Sequence, residues 1–138
     1  MGLNFSISEL IASDTAARHN INNMPDIRSL DCMLELIFYV LQPLREIIKK
    51  PMTITSGYRN KQVNQLVGGA VDKWGNPTSQ HSFGQAADVV IKGMTPAEFI
   101  EVVKKSGIEY DQLINEHDSW THISFNKGKN RKQCFKIP

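Results

Sequence analysis

The sequence predicts an α+β domain in which helices pack on one face of a small, mainly antiparallel sheet and the functional site lies on the other face. Three observations lead there. Leu30, Leu34, Ile37, Leu41, Leu44 and Ile48 recur at helical spacing and mark one long amphipathic helix. Residues 52–55 alternate with period two, and Val89-Val90-Ile91 is an apolar run of strand length. Residues 110–116 and 120–125 flank the turn His117-Asp118-Ser119 and read as a hairpin. A chain of 138 residues suits one core, so residues 1–138 are expected to form a single domain.

Taken in order, Ser6-Ile7-Ser8-Glu9 has the layout of a capping box that starts a short helix carrying Leu10 and Ile11. Residues 14–25 are polar, contain Asn20, Asn22 and Asn23, and read as a loop. In the long helix, Pro43 lacks an N–H and crowds the preceding turn, so the helix should kink or split near Leu41. The strand at 52–55 runs into Ser56-Gly57-Tyr58-Arg59 and a short helix bearing Val63 and Leu66. Residues 68–79, with Gly68, Gly69, Trp74, Gly75 and Pro77, form a long loop of the kind that carries a lid or specificity element. Trp74 either stacks on a ligand or anchors that loop. Thr95 caps a helix with Pro96 at its first position, which runs through Phe99, Ile100 and Val103 until Gly107 stops it. A basic loop at 126–132 and an edge strand at 133–137 complete the chain.

Composition narrows the function classes. The formal net charge of +2 is too small to argue for nucleic acid by itself. No apolar run is long enough to span a membrane, and the N-terminus lacks the layout of a signal peptide. The pattern Met1-Gly2-Leu3-Asn4-Phe5-Ser6 fits N-myristoylation but is short enough to arise by chance. Two cysteines give neither a metal spacing nor a disulfide framework, with Cys32 expected in the core and Cys134 half-buried. Synthesis in a reducing cytosol follows.

The chemistry concentrates in Ser79-Gln80-His81-Ser82-Phe83-Gly84-Gln85-Ala86-Ala87-Asp88 and in Trp120-Thr121-His122-Ile123-Ser124. Two imidazoles and one carboxylate (His81, Asp88, His122) suit zinc and leave a fourth position open for water. Gly84 lets the backbone turn tightly or pass close to a neighbour. Trp120, His122 and Ser124 share one strand face. His81 with Asp88 alone fits an ordinary hydrogen-bonded pair equally well. The pattern Ser79-x-His81-x-x-Gly84-x-Ala86-x-Asp88 resembles the first signature of the M15 zinc peptidases, the D-Ala-D-Ala carboxypeptidase, dipeptidase and endolysin group, and Trp120-x-His122 resembles the second. Asn4-Phe5-Ser6-Ile7-Ser8-Glu9-Leu10 and Val40-Leu41-Gln42-Pro43-Leu44-Arg45 also look like phage-type members.

That resemblance implies the hedgehog/DD-peptidase fold and a zinc-dependent hydrolase of peptidoglycan stem peptides, either a D,D-carboxypeptidase or an L-alanyl-D-glutamate-type endopeptidase. His81, Asp88 and His122 would hold Zn2+. Arg59, in Ser56-Gly57-Tyr58-Arg59-Asn60, would orient the substrate and stabilise an oxyanion, since a guanidinium is always charged and donates two parallel bonds. A plain surface arginine at a helix start is the alternative. Several relatives carry an acid three residues before the last histidine. Here that position is Ser119, so the base falls first to Glu116, then to Asp118, with His117 as a transition-state aid; a solvated turn is the bland reading of all three. The enzyme is expected to work as a monomer, with peptidoglycan peptide as its partner, and with neither nucleic acid nor membrane. Without a signal of its own it would be delivered or released to the wall. The basic residues Lys127, Lys129, Arg131, Lys132 and Lys136 either attract wall polymers or only aid solubility. A zinc-binding module of the same fold without turnover is the rival reading.

Overall fold

A computed structural model describes residues 2–138; Met1, which opens the acylation pattern, lies outside the described residues. The expected α+β architecture is present. Five strands, β1 (Met52–Ser56), β2 (Ala86–Ile91), β3 (Gln112–Glu116), β4 (Trp120–Ser124) and β5 (Gln133–Ile137), form one sheet in the order β1-β2-β4-β3-β5. Every pairing is antiparallel except β3 with β5, which is parallel and puts the last strand at an edge. Ala87, Val89, Leu113 and Ile123 point to one face and join a single buried cluster with residues of the helices. Asp88 and His122, one residue away in phase, therefore point to the other.

Two helices precede the long one. In α1 (Ile7–Ile11), Ser6 Oγ accepts from the Glu9 N–H, which is one half of the expected capping box; the return bond from the Ser6 N–H to the Glu9 side chain is not formed among the described residues. The stretch read as a loop contains α2 (Asp14–Arg18), which corrects that expectation. Ser13 caps it by accepting from the Ala16 N–H, and Ala16 is buried, so a single cap and one apolar contact suffice for five residues.

The long helix divides into α3 (Ile27–Leu36), a π-helical turn (Ile37–Leu41) and α4 (Gln42–Ile48). Pro43 provides the cause. The ladder widens so that the Gln42 N–H reaches the Ile37 carbonyl, and the chain continues without a break. One extra residue in that turn shifts the phase of the buried stripe. Ser29, Met33 and Leu36 are buried where Leu30 and Leu34 were expected, and those two are only half-buried, whereas Leu41 and Leu44 hold their places.

After β1 comes α5 (Lys61–Leu66), which buries Val63 but leaves Leu66 exposed. Helix α6 (Pro96–Ser106) has the full Thr95–Glu98 capping box and ends at Gly107, whose φ of 75° is left-handed. Val90, in the middle of the apolar run that forms β2, is exposed because it lies on the face away from the helices. Cys32 is half-buried rather than in the core, like Cys134, and both thiols are free. Trp74 is 73% exposed, so it does not anchor its loop by burial. No helix of the described residues is long and apolar enough to cross a membrane.

Candidate metal and substrate site

His81 sits on a 3-10 turn (Gln80–Phe83) whose start is capped by Ser79 and whose end is Gly84, at a φ of 73°. A Cβ at Gly84 would collide with the Ser29 carbonyl, so this turn packs against α3 only with glycine there. A second glycine sets the other side. The His81 Nδ1 lies 2.8 Å from the Gly57 carbonyl oxygen, and a side chain at Gly57 would collide with the backbone of Leu10. Asp88 and His122 are directly opposed partners on β2 and β4. The sequence-predicted ligands thus come from a loop and two adjacent strands, and one donor atom from each lies within 4.8 Å of the others.

The hydrogen bond to Gly57 assigns the His81 tautomer. A carbonyl cannot donate, so Nδ1 carries the proton and Nε2 of the neutral ring offers a lone pair. That Nε2 lies 3.3 Å from Asp88 Oδ1, and His122 Nδ1 lies 3.3 Å from the same oxygen. Lone pairs facing one another at this distance call for a cation between them, either a proton or a metal ion. The spacing suits a metal. Ligand atoms about 2.0–2.1 Å from a tetrahedral zinc stand roughly 3.3–3.4 Å apart. His122 Nε2 is buried with no partner among the described residues, so the polar contact of that ring is its Nδ1 toward Asp88. Where a proton takes the place of the metal between these atoms, burial pushes the Asp88 carboxyl up, but hydrogen bonds and positive charge from His122 and His81 outweigh it and hold it well below the usual carboxylate range. The donor set is therefore ionised, convergent and shielded, which fits a metal ion.

Arg59 borders this cluster. Its Nη2 donates to Ser79 Oγ at 3.0 Å, its backbone N–H donates to the His81 carbonyl, and its Nε is buried without a partner among the described residues. Burial draws the guanidinium below its usual range, while Asp88 and Glu116 act in the opposite sense, so both acids lie within its field. Glu116 accepts from Trp120 Nε1 across the hairpin and shares the face of Ile114, whose partner is His122.

The other turn residues point elsewhere. Ser119 lines a small cavity with Val89, Phe99 and Thr121 on the helix side, the face opposite His122. Asp118 pairs with Lys136 at 3.0 Å and bonds Asn115, with its side chain 64% exposed. His117 Nδ1 donates to the Pro138 carbonyl, and its ring meets Trp120 edge-on. Both Asp118 and His117 have φ near 55°, as a tight turn demands. The basic tail is partly neutralised in the same way. Arg131, Lys132 and Lys136 pair with Asp111, Glu109 and Asp118, so less of its charge is free to attract a polyanion.

Asp111 is a site-supporting residue that sequence reasoning missed. Its side chain is 1% exposed and accepts from the Arg131 backbone N–H, Nε and Nη2 and from Gln80 Nε2, all within 2.9 Å. Gln80 precedes His81, so this carboxylate ties the histidine turn to the β5 side of the sheet. Nothing local in Tyr110-Asp111-Gln112 signals this, because the partners are 20 and 31 residues away. Burial pushes the Asp111 carboxyl up, but the bonds from Arg131 and Gln80 dominate and lower it. Its stabilising contribution is therefore present above the unfolded value of about 3.9 and lost as the pH falls through the folded one. Arg131→Met is expected to cost about 3 kcal/mol at pH 7, the low end for a broken buried pair because the guanidinium is half exposed. In urea titrations the gap should narrow at about pH 3; a gap as wide there as at pH 7 would overturn the assignment.

A cleft of about 400 Å³ leads from Asp88 and Arg59 past the end of β1 to α2, giving an extended ligand access to the cluster. No curated protein matches the chain. The family model described as Peptidase M15 matches residues 3–124, a span that includes His81, Asp88, His122, Arg59 and Glu116. A match over most of the chain, with a His–Asp–His cluster able to hold a metal in the folded protein, makes this chain a peptidase that belongs to the M15 family.

Proposed function

We propose that this protein is a zinc-dependent metallopeptidase that hydrolyses peptidoglycan stem peptides, as a D,D-carboxypeptidase or an L-Ala-D-Glu-type endopeptidase. The observation that carries the reading is the convergence of His81 Nε2 and His122 Nδ1, each 3.3 Å from Asp88 Oδ1, with the His81 tautomer fixed by Gly57. The chemistry zinc supplies at such a centre is activation of a water near neutral pH and polarisation of the scissile carbonyl. The protein's own groups do the rest. Glu116 takes a proton from the attacking water and passes it to the leaving amine, oriented meanwhile by Trp120 Nε1. Arg59, tied to Ser79 through Nη2 at the border of the cluster, gives its guanidinium to the carbonyl oxygen as charge builds there. One copy of the chain supplies every group named, which supports a monomer and a single catalytic unit. The peptidoglycan substrate and action at the cell wall rest on the likeness to carboxypeptidases and endolysins. The non-catalytic alternative drew on the lack of an acid at Ser119; Glu116, on the face of His122, offers one from the neighbouring strand.

Mass spectrometry of purified muropeptides, with and without a chelator, tests the reading. Loss of one terminal alanine would identify the carboxypeptidase and a cut within the stem the endopeptidase, in either case abolished by the chelator. Unchanged masses from zinc-loaded protein would leave the binding module in place of the enzyme.

A further inference from the structure

We propose that Phe135 on β5 is a specificity-determining residue, an apolar platform for a long aliphatic side chain of the substrate. This rests on the peptidase reading above and narrows its substrate to a peptide that carries such a side chain on the second residue from the scissile bond. The register of the sheet places the ring. Asp88 opposes His122, His122 opposes Ile114, and Ile114 opposes Phe135, so one row across the strands joins two of the metal-ligand candidates to the edge strand. Side chains of one row share a face, and Phe135 therefore lies on the side of the cluster. Cys134, one residue out of phase, packs against the core on the helix side. Two strand spacings separate His122 from Phe135, roughly 10 Å.

The two flanks of the cluster differ in character. Toward β1 it meets Ser56 and Arg59, which are polar. Toward β5 it meets Ile114, which is buried, and then Phe135, whose ring is 45% exposed. Ile137, half-buried, stands beside Glu116 in the next row. Strand β5 lies beyond residues 3–124, the span of the family match, so this apolar floor comes from outside the shared region. A peptide laid across the strands with its scissile carbonyl at the cluster carries its second residue about 7 Å toward β5. From there a chain of several methylenes reaches the ring, whereas an alanine methyl stops short. Covering an open aromatic face with methylenes is favourable through the apolar area removed from water. In a stem peptide the diamino acid has such a chain, and it stands second from either of the two bonds considered above.

The test compares two synthetic pentapeptides, L-Ala-γ-D-Glu-X-D-Ala-D-Ala, in which X is L-norleucine or L-alanine. They differ by three methylenes, carry no charge on that side chain, and each contains both candidate bonds. With zinc-loaded protein, kcat/KM for the norleucine peptide is expected to be about tenfold higher, mostly through KM, the scale of three methylenes partly covered by one ring. Phe135→Ala should bring the ratio to about one while kcat stays within a few-fold, and Phe135→Leu should keep part of it. Because the ring is half-exposed on an edge strand, zinc content and melting temperature should not change. Cleavage with a ratio near one, or with a ratio that survives Phe135→Ala, overturns this inference alone. Where neither peptide is cut, calorimetric titration reads the same ratio in Kd. A preference there that depends on Phe135 would sink only the catalytic reading, and equal binding would overturn the proposal too. Sedimentation that shows a dimer dissolved by Phe135→Ala would give the ring to a second copy of the chain and likewise overturn it.

Discussion

Glu116→Gln is expected to lower kcat about 10²–10⁴-fold, the range for removal of a general acid–base group, while zinc content stays that of the unaltered protein. The substitution keeps size and shape but withdraws the proton acceptor. The remaining carbonyl oxygen can still accept from Trp120 Nε1, so the hairpin contact survives and stability should hold. Metal retention follows because His81, Asp88 and His122 form the convergent set without Glu116. Metal analysis and single-substrate kinetics on the same preparation give the answer together. Full activity would move the base elsewhere, and Asp118→Asn is the informative companion. Asp118 already bonds Lys136 and Asn115 at the outer edge of the turn, so its loss should leave kcat within a few-fold.

How far this site was legible depends on the distance over which each residue's position is decided. The caps at Ser6 and Thr95, and the Pro96 start and Gly107 stop of α6, are set within four residues, and the structure has them as read. The full capping box, read at Ser6–Glu9, is found at Thr95–Glu98 instead. His81 and Asp88 are separated by one tight turn, and His122 follows from strand alternation, so their meeting was readable once β2 and β4 were paired. Helix α2 was hidden because its composition is polar; its support is one cap and the burial of Ala16 against the rest of the chain. The buried stripe of α3 was read one residue out of phase because a single period was carried through Pro43, whereas the π-turn inserts a residue there. Asp111 escaped because its four donors come from remote segments, and no local pattern announces them.

Arg59→Met should reduce kcat by about 10²–10³-fold, the loss typical for one donor to a developing oxyanion, with a smaller effect on KM. The bonds that guanidinium makes in the absence of substrate separate a catalytic role from a structural one. Nη2 is committed to Ser79, which also caps the turn carrying His81, and Nε is buried with nothing to donate to among the described residues. A structural arginine in this position would have its buried donors matched, since an unmet one costs roughly 1–3 kcal/mol. An arginine awaiting an oxyanion would keep one donor unmatched until substrate arrives, and Nε is unmatched here. Methionine removes both donors and relieves the unmet one, so the protein should melt no lower than the unaltered one even as turnover collapses. Arg59→Lys sharpens the test. The ammonium keeps the charge beside Asp88 and Glu116 but cannot reach Ser79 and the carbonyl oxygen in one plane, so it should recover only a minor part of the rate. Thermal melts and kcat measured on all three proteins decide between the roles. If Arg59→Met melts well below the unaltered protein and its kcat falls no more than a few-fold, Arg59 is a structural tie between Ser79 and the strand end, and the oxyanion must find its donor elsewhere.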